Sequence, residues 1–301
     1  MDTIALAGGR IFYVDPAAGA DGNSGRDPDA ALLTIQAAHD LTTTAKNDII
    51  VLIAAATANE PAATIAWDHT YTHMVGACAP LIMGQRARVV GTAALDLNPV
   101  VAISGRGCYF ANIKFNNDKD SNDASGCVKV TSADNYFKSC EFNITSATLL
   151  ARTDTYSLWM STGASECVFD RCTFGTDTAD AAGAGYNVLF DGGSSKSYFK
   201  DCIFLTRASS STSRVMCKFD ATSVGMGLAA IFDGCTFVNT STSWGVTMAD
   251  AFSVTGGNTH YIVVKGNNQI VGITGWADTT TRVYLFNSTT TALGASQTPV
   301  A

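Results

Sequence analysis

The sequence predicts an all-β solenoid, a coil of short stacked strands closed at its N-terminal end by one helix. Three observations lead there: a seven-residue segment that recurs five times, a five-residue segment that recurs in step with it, and a composition poor in charge.

The first segment reads YFANIKF (109–115), YFKSCEF (136–142), VFDRCTF (168–174), YFKDCIF (198–204) and IFDGCTF (231–237), with starts 27, 32, 30 and 33 residues apart. Position two is always Phe: Phe110, Phe137, Phe169, Phe199 and Phe232. Position five is Ile113 and then Cys140, Cys172, Cys202 and Cys235, and position seven is Phe115, Phe142, Phe174, Phe204 and Phe237. Apolar positions five and seven flank a mostly polar position six, which is the period of a strand with one buried face. Positions two and five cannot both face inward on one straight strand, so positions three and four are predicted to form a corner.

The second segment reads VVAIS, GCVKV, YSLWM, YNVLF and VMCKF, starting at Val100, Gly126, Tyr156, Tyr186 and Val215, with spacings of 26, 30, 30 and 29. A unit this short cannot bury its own apolar face, so the units must stack. Rungs about 4.8 Å apart would lay Phe over Phe and Cys over Cys as interior ladders.

Of the 301 residues, 47% are apolar and only 15% charged, against roughly 25% in ordinary soluble domains. A net charge of −7 argues against a nucleic-acid partner. No apolar run reaches the roughly 18 residues of a membrane span, and MDTIALAGGR lacks the basic and long apolar regions of a secretory signal. The expectation is a chain that neither spans a membrane nor is exported. Its nine cysteines, an odd number with no C-x-x-C, are expected to be buried free thiols in a reducing compartment. No metal and no cofactor is expected.

The corner column carries charge. Position three reads Ala111, Lys138, Asp170, Lys200, Asp233, and position four reads Asn112, Ser139, Arg171, Asp201, Gly234. Asp170, Asp201 and Asp233 could be taken for a glycosidase carboxylate set. The alternation of sign favours a ladder of cross-rung pairs, each worth about 0–1 kcal/mol.

At the N-terminal end, RIFYVDP is strand-like and ADGNSGRDPD is a tight-turning loop. TIQAAHDL is a helix N-capped by Thr34 that puts Ile35, Ala38 and Leu41 on its buried face, and NDIIVLIAAA is a strand. Such a helix caps apolar core and strand edges that a terminal rung would expose. After residue 260, HYIVVK and the short strands beyond it are expected to close the coil with a final rung and a small terminal sheet, leaving TTTALGASQTPVA as an arm. The expected organisation is one continuous domain: arm, loop, cap and first strands over 1–75, rungs over 76–265, closing strands and tail over 266–301.

The order of FYVDP, Asp/Gly/Asn-rich loop, TIQAA helix, IIVL strand and F-x-x-C-x-F rungs resembles the right-handed, single-stranded parallel β-helix proteins of the pectate-lyase-like superfamily. It is most similar to the short versions that bacteriophages carry on the virion surface, over roughly residues 10–275. The enzymes of that superfamily imply patches that can be sought one at a time. Arg152, Arg171, Arg207 and Arg214 all lack the R-x-P-x-x-R context of pectate lyases, and the N-T-D, D-D, G-H-G and R-I-K patches of polygalacturonase-like hydrolases are missing. His39, His69, His73 and His260 show no spacing to a nucleophile; His39 is expected on the helix surface, and His69 and His73 in an irregular stretch. With no catalytic residues assigned, the expectation is a non-enzymatic virion structural protein: a capsid decoration or head-surface protein. The resemblance implies a homotrimer; attachment at the virion surface to the major capsid protein or another virion protein is expected through one terminus, the N-terminal one before the tail, because the ends are the segments the coil explains least. The alternative is a tailspike-type depolymerase or a carbohydrate-binding β-helix, its ligand a host polysaccharide and its sugar platforms Trp159, Trp244 or Trp276.

Overall fold

The computed structural model describes residues 9–119, 125–209, 214–220, 228–241, 246–255, 261–278 and 282–286. Three parallel sheets wrap one core. Sheet A has ten strands, sheet B seven and sheet C eight, and the chain passes from A to B to C and back to A once per rung. One such rung is Tyr136–Lys138 in sheet A, Glu141–Ile144 in sheet B and Tyr156–Met160 in sheet C. The predicted solenoid is therefore a parallel β-helix. Its first segment supplies sheets A and B and its second segment sheet C.

Register confirms the repeat residue by residue. Phe110 pairs with Phe137, Phe137 with Phe169, Phe169 with Phe199 and Phe199 with Phe232. Their rings stack at 4.9, 4.8, 4.6 and 5.0 Å. The second ladder, Phe115, Phe142, Phe174, Phe204 and Phe237, stacks at 5.5, 5.1, 4.9 and 4.5 Å. The two ladders meet edge to face, as at Phe137 and Phe142, 5.5 Å apart, which is the arrangement that aromatic quadrupoles favour.

The corner differs from the expectation. Position three does not bend: Lys138, Asp170 and Asp233 stay in their sheet A strands and face outward. Position four bends alone, with Asn112, Ser139, Arg171 and Asp201 all at φ between 49° and 58°. One left-handed residue reverses the inside–outside phase, so positions two and five both point into the core. Such a conformation costs a non-glycine residue about 1–2 kcal/mol, and Gly234 takes it without that cost. Gly234 has a second reason, since a Cβ there would stand 2.6 Å from Asp201 Oδ1.

All nine cysteines are unpaired, and all but Cys78 are buried. The thiols of Cys172, Cys202 and Cys235 donate to the carbonyls of Phe137, Phe169 and Phe199 one rung earlier, at 3.5, 3.3 and 3.4 Å. Burial pushes these three thiols well above their ordinary range. In the native protein, Cys140, Cys172, Cys202 and Cys235 are therefore expected to resist iodoacetamide while Cys78 labels first. Mass spectrometry of labelled peptides before and after denaturant checks this, and rapid native labelling of the four would refute the packing role.

Parallel pairing already begins at Ile11–Val14, against Ile49–Ile53. Between them lies α1 (Ile35–Leu41), where Thr34 Oγ1 accepts from Ala37 N at 3.2 Å as the N-cap. The buried face of α1 is Ile35, Ala38 and His39, not Ile35, Ala38 and Leu41. The i, i+3, i+4 spacing centres the face on these three, leaving Leu41 43% exposed while His39 is buried. At the other end, Gln269–Val271, Ile273–Ala277 and Val283–Phe286 extend sheets B, C and A in turn, so the coil continues to the last described strand. The predicted tail arm, most of the N-terminal arm, Trp244 and His260 lie outside the described residues.

Candidate functional site

Three outer faces are open to inspection, one per sheet. On sheet B, the segment around Ile82–Gln85 closes over the early rungs. Gly84 N donates to Glu141 Oε2 at 2.9 Å, and Thr173 Oγ1 donates to Ile82 O at 2.6 Å. Glu141 and Thr173 are buried beneath it. On sheet C, Trp159 faces outward, but Lys129 Nζ sits 3.6 Å from its ring centroid, a cation–π contact that occupies the ring face. The neighbouring Tyr156 and Tyr186 are buried. Trp276 is not a platform either: it packs 5.7 Å from Phe237 and 5.9 Å from Phe252.

Sheet A presents two outward columns. The first runs Tyr109, Tyr136, Val168, Tyr198, Ile231 and Val263, each half-buried. Beside it run Ala111, Lys138, Asp170, Lys200, Asp233 and Lys265, paired rung to rung in that order. The Tyr109 and Tyr136 rings stack at 5.6 Å. Tyrosines and charges interlock: Tyr136 Oη donates to Asp170 Oδ2 at 3.1 Å, Tyr198 Oη donates to Asp233, and Lys265 Nζ reaches Asp233 at 3.3 Å. The Tyr198 hydrogen bond, with Lys265 beside it, holds the Asp233 carboxyl below its ordinary range, and Asp233 in turn pushes Tyr198 up.

Of the three candidate acids, Asp170 and Asp233 share this column two rungs apart, about 9.6 Å along the backbone, with Lys200 between them. Asp201 is not in the column; it occupies the left-handed corner and leans over Gly234. Asp233 is engaged by the Tyr198 hydroxyl and the Lys265 ammonium and, among the described residues, does not face a second free carboxyl. The histidines also depart from expectation. His73 opens the strand His73–Ala77, and its Nδ1 accepts from Tyr109 N at 3.0 Å, so it is a neutral structural partner whose burial lowers its pKa. His39 and His69 stack at 4.4 Å beside Asp68, a cluster that residues 30 apart in sequence did not announce.

No protein-family model matches the chain, and no curated protein matches it by sequence. Solved structures do. A pectin methylesterase mutant in complex with a hexasaccharide is similar at 13% identity and TM-score 0.64, covering 96% of this chain and 91% of that one. Pectin methylesterase PemA from Erwinia chrysanthemi gives 13% and 0.60 with the same coverage. Pectate lyase Pel9A gives 12% and 0.54, covering 98% and 83%. The fold is thus a parallel β-helix with pectate-lyase-like structural neighbours. At this identity the likeness carries the fold alone. The expectation of a virion decoration protein is corrected by these matches, which are pectin methylesterases and a pectate lyase and include no phage structural protein.

Proposed function

We propose that this chain is a carbohydrate-binding β-helix that lays a polysaccharide along the outer face of sheet A, parallel to the coil axis. The observation that carries the reading is the pair of outward columns: Tyr109, Tyr136 and Tyr198, interrupted by Val168, beside Lys and Asp that alternate at the rung spacing. A tyrosine ring offers an apolar face to the C–H face of a pyranose; Asp170 and Asp233 hold the Tyr136 and Tyr198 hydroxyls, and Lys265 Nζ, 5.2 Å from the Tyr198 ring centroid, would share that ring with the sugar. Lys138, Lys200 and Lys265 are donors for sugar hydroxyls and uronate carboxylates, while Asp170 and Asp233 are acceptors. In support, two of the similar solved structures are complexes of pectin methylesterases with hexasaccharides.

Binding is favoured over cleavage because Tyr198 and Lys265 both engage Asp233, and Lys200 stands between it and Asp170. The test is isothermal titration with pectin, bacterial capsule and lipopolysaccharide, alongside a reducing-end assay. The expected result is binding of at least one of these glycans without reducing-end release, weakened about tenfold or more in Tyr136→Ala/Tyr198→Ala, as the loss of two buried aromatic contacts implies. If none of the glycans binds, or the double variant binds as tightly as wild type, the reading fails. Reducing-end release abolished by Asp233→Asn would replace it with the depolymerase reading.

A further inference from the structure

A second feature stands apart from the sheet A face, at the N-terminal cap. We propose that His39, Asp68 and His69 form a binding site for a divalent transition-metal ion of the Zn²⁺ class, joining α1 to the turn that follows the strand Ile65–Trp67. Among the described residues this is the one group of three metal-ligating side chains whose donor atoms all lie within 4.8 Å of one another. His39 Nε2 and His69 Nε2 each stand 3.9 Å from Asp68 Oδ1. A tetrahedral ion with bonds of about 2.0–2.1 Å would set its donors about 3.3 Å apart, so donors now 3.9 Å apart, and at most 4.8 Å apart across the set, would have to close by about 0.6 to 1.5 Å.

The site is built beyond its donor set. His39 is 1% exposed, and its Nε2 has no hydrogen-bond partner, although nitrogens so buried are almost always satisfied. Its ring is held between Trp67, at 4.8 Å, and His69, at 4.4 Å, so the lone nitrogen is fixed in place and aimed at Asp68. The tautomer of His69 is set by Thr42. The Thr42 hydroxyl donates to His39 O at 2.7 Å, and the same oxygen lies 2.7 Å from His69 Nδ1. One hydroxyl has one proton, and with that proton on His39 O, His69 Nδ1–H is the donor to Thr42 Oγ1 and Nε2 carries the lone pair on the Asp68 side. Outer-shell hydrogen bonds of this kind orient metal-binding imidazoles.

Two neutral imidazoles and one carboxylate suit Zn²⁺, Co²⁺ or Ni²⁺ better than Ca²⁺ or Mg²⁺, which prefer all-oxygen sites. Asp68 and His69 are 62% and 30% exposed, so the ion can enter from solvent and keep a fourth, water-filled position on that side. Bound there, it would pin the cap helix to the first rungs, independently of whether sheet A binds sugar.

The test is titration of the metal-stripped full chain with Zn²⁺ by calorimetry and with Co²⁺ by absorption. The expected result is one equivalent bound, a Co²⁺ spectrum of nitrogen and oxygen donors without a thiolate charge-transfer band, and a higher Tm with Zn²⁺. Asp68→Asn/His69→Gln, changed at one exposed and one half-buried position and checked for folding by circular dichroism, should lose the site. Thr42→Val, which leaves all three donors in place, should weaken it about 10- to 100-fold. A thiolate band, equal binding by the double variant, or no binding by wild type would each overturn the proposal.

Discussion

Phe169→Ala is expected to destabilise the protein by about 3–5 kcal/mol, the largest effect of any single ladder truncation. Phe169 is fully buried, stacked between Phe137 at 4.8 Å and Phe199 at 4.6 Å, with Phe142 and Phe174 edge-on at 6.1 and 5.6 Å. Each neighbour is tethered by its own rung, with strand pairing on both sides of residues 168–170. The walls of the hole cannot collapse inward, so the cavity cost adds to the lost transfer energy. Urea unfolding at neutral pH measures the change. Phe169→Leu should cost less than half as much, and a loss below about 1 kcal/mol for the alanine variant would show that the ladder is not the main source of cohesion.

Asp48→Asn is expected to cost about 2–3 kcal/mol at neutral pH and progressively less as the pH falls through the lowered folded pKa. Asp48 is buried and accepts from Arg10 N at 2.6 Å, Arg10 Nη2 at 2.7 Å and Thr43 N at 2.8 Å. It thereby ties the first strand to the chain leaving α1. Burial alone would raise its pKa, but these donors win and hold the carboxyl below the ordinary 3.8. A folded pKa below the unfolded one means that the unfolded state takes up protons first. The contribution is complete above about pH 4 and is lost as pH falls through the lower, folded value. Because Arg10 is 43% exposed, solvent screens part of the pair and the estimate stays below that for a fully buried ion pair. Urea midpoints of both proteins at pH 7 and pH 2 check the sign; a difference that persists undiminished in acid would refute it.

The sheet A columns and the capping cluster differ in how far the sequence revealed them. Lys138, Asp170, Lys200 and Asp233 could be lined up from the repeat alone, because rungs in register place equivalent positions next to one another. Their hydroxyl partners Tyr136 and Tyr198 stand at position one of the same segments, where the local pattern gives no sign of the bonds they make. The direction of a tyrosine hydroxyl depends on the neighbouring rung, not on the local pattern. The sequence places His39 on the surface because polar side chains on a short helix usually are, whereas in the fold its ring packs 4.8 Å from Trp67 of the strand Ile65–Trp67.

The sequence by itself determined the period, the two phenylalanine ladders, the cysteine column and the Thr34 cap. All of these follow from local spacing repeated about every thirty residues, which stacking turns into contact. Only the tertiary structure decided that one left-handed residue makes each corner, that Trp276 is core and Trp159 covered, that the segment at Ile82–Gln85 shields sheet B, and that His39 meets Asp68 and His69. Each of these depends on a partner from another rung or from the cap. A repeat pattern fixes which positions face inward, whereas what covers an outward position is settled by the less regular segments that pack against it.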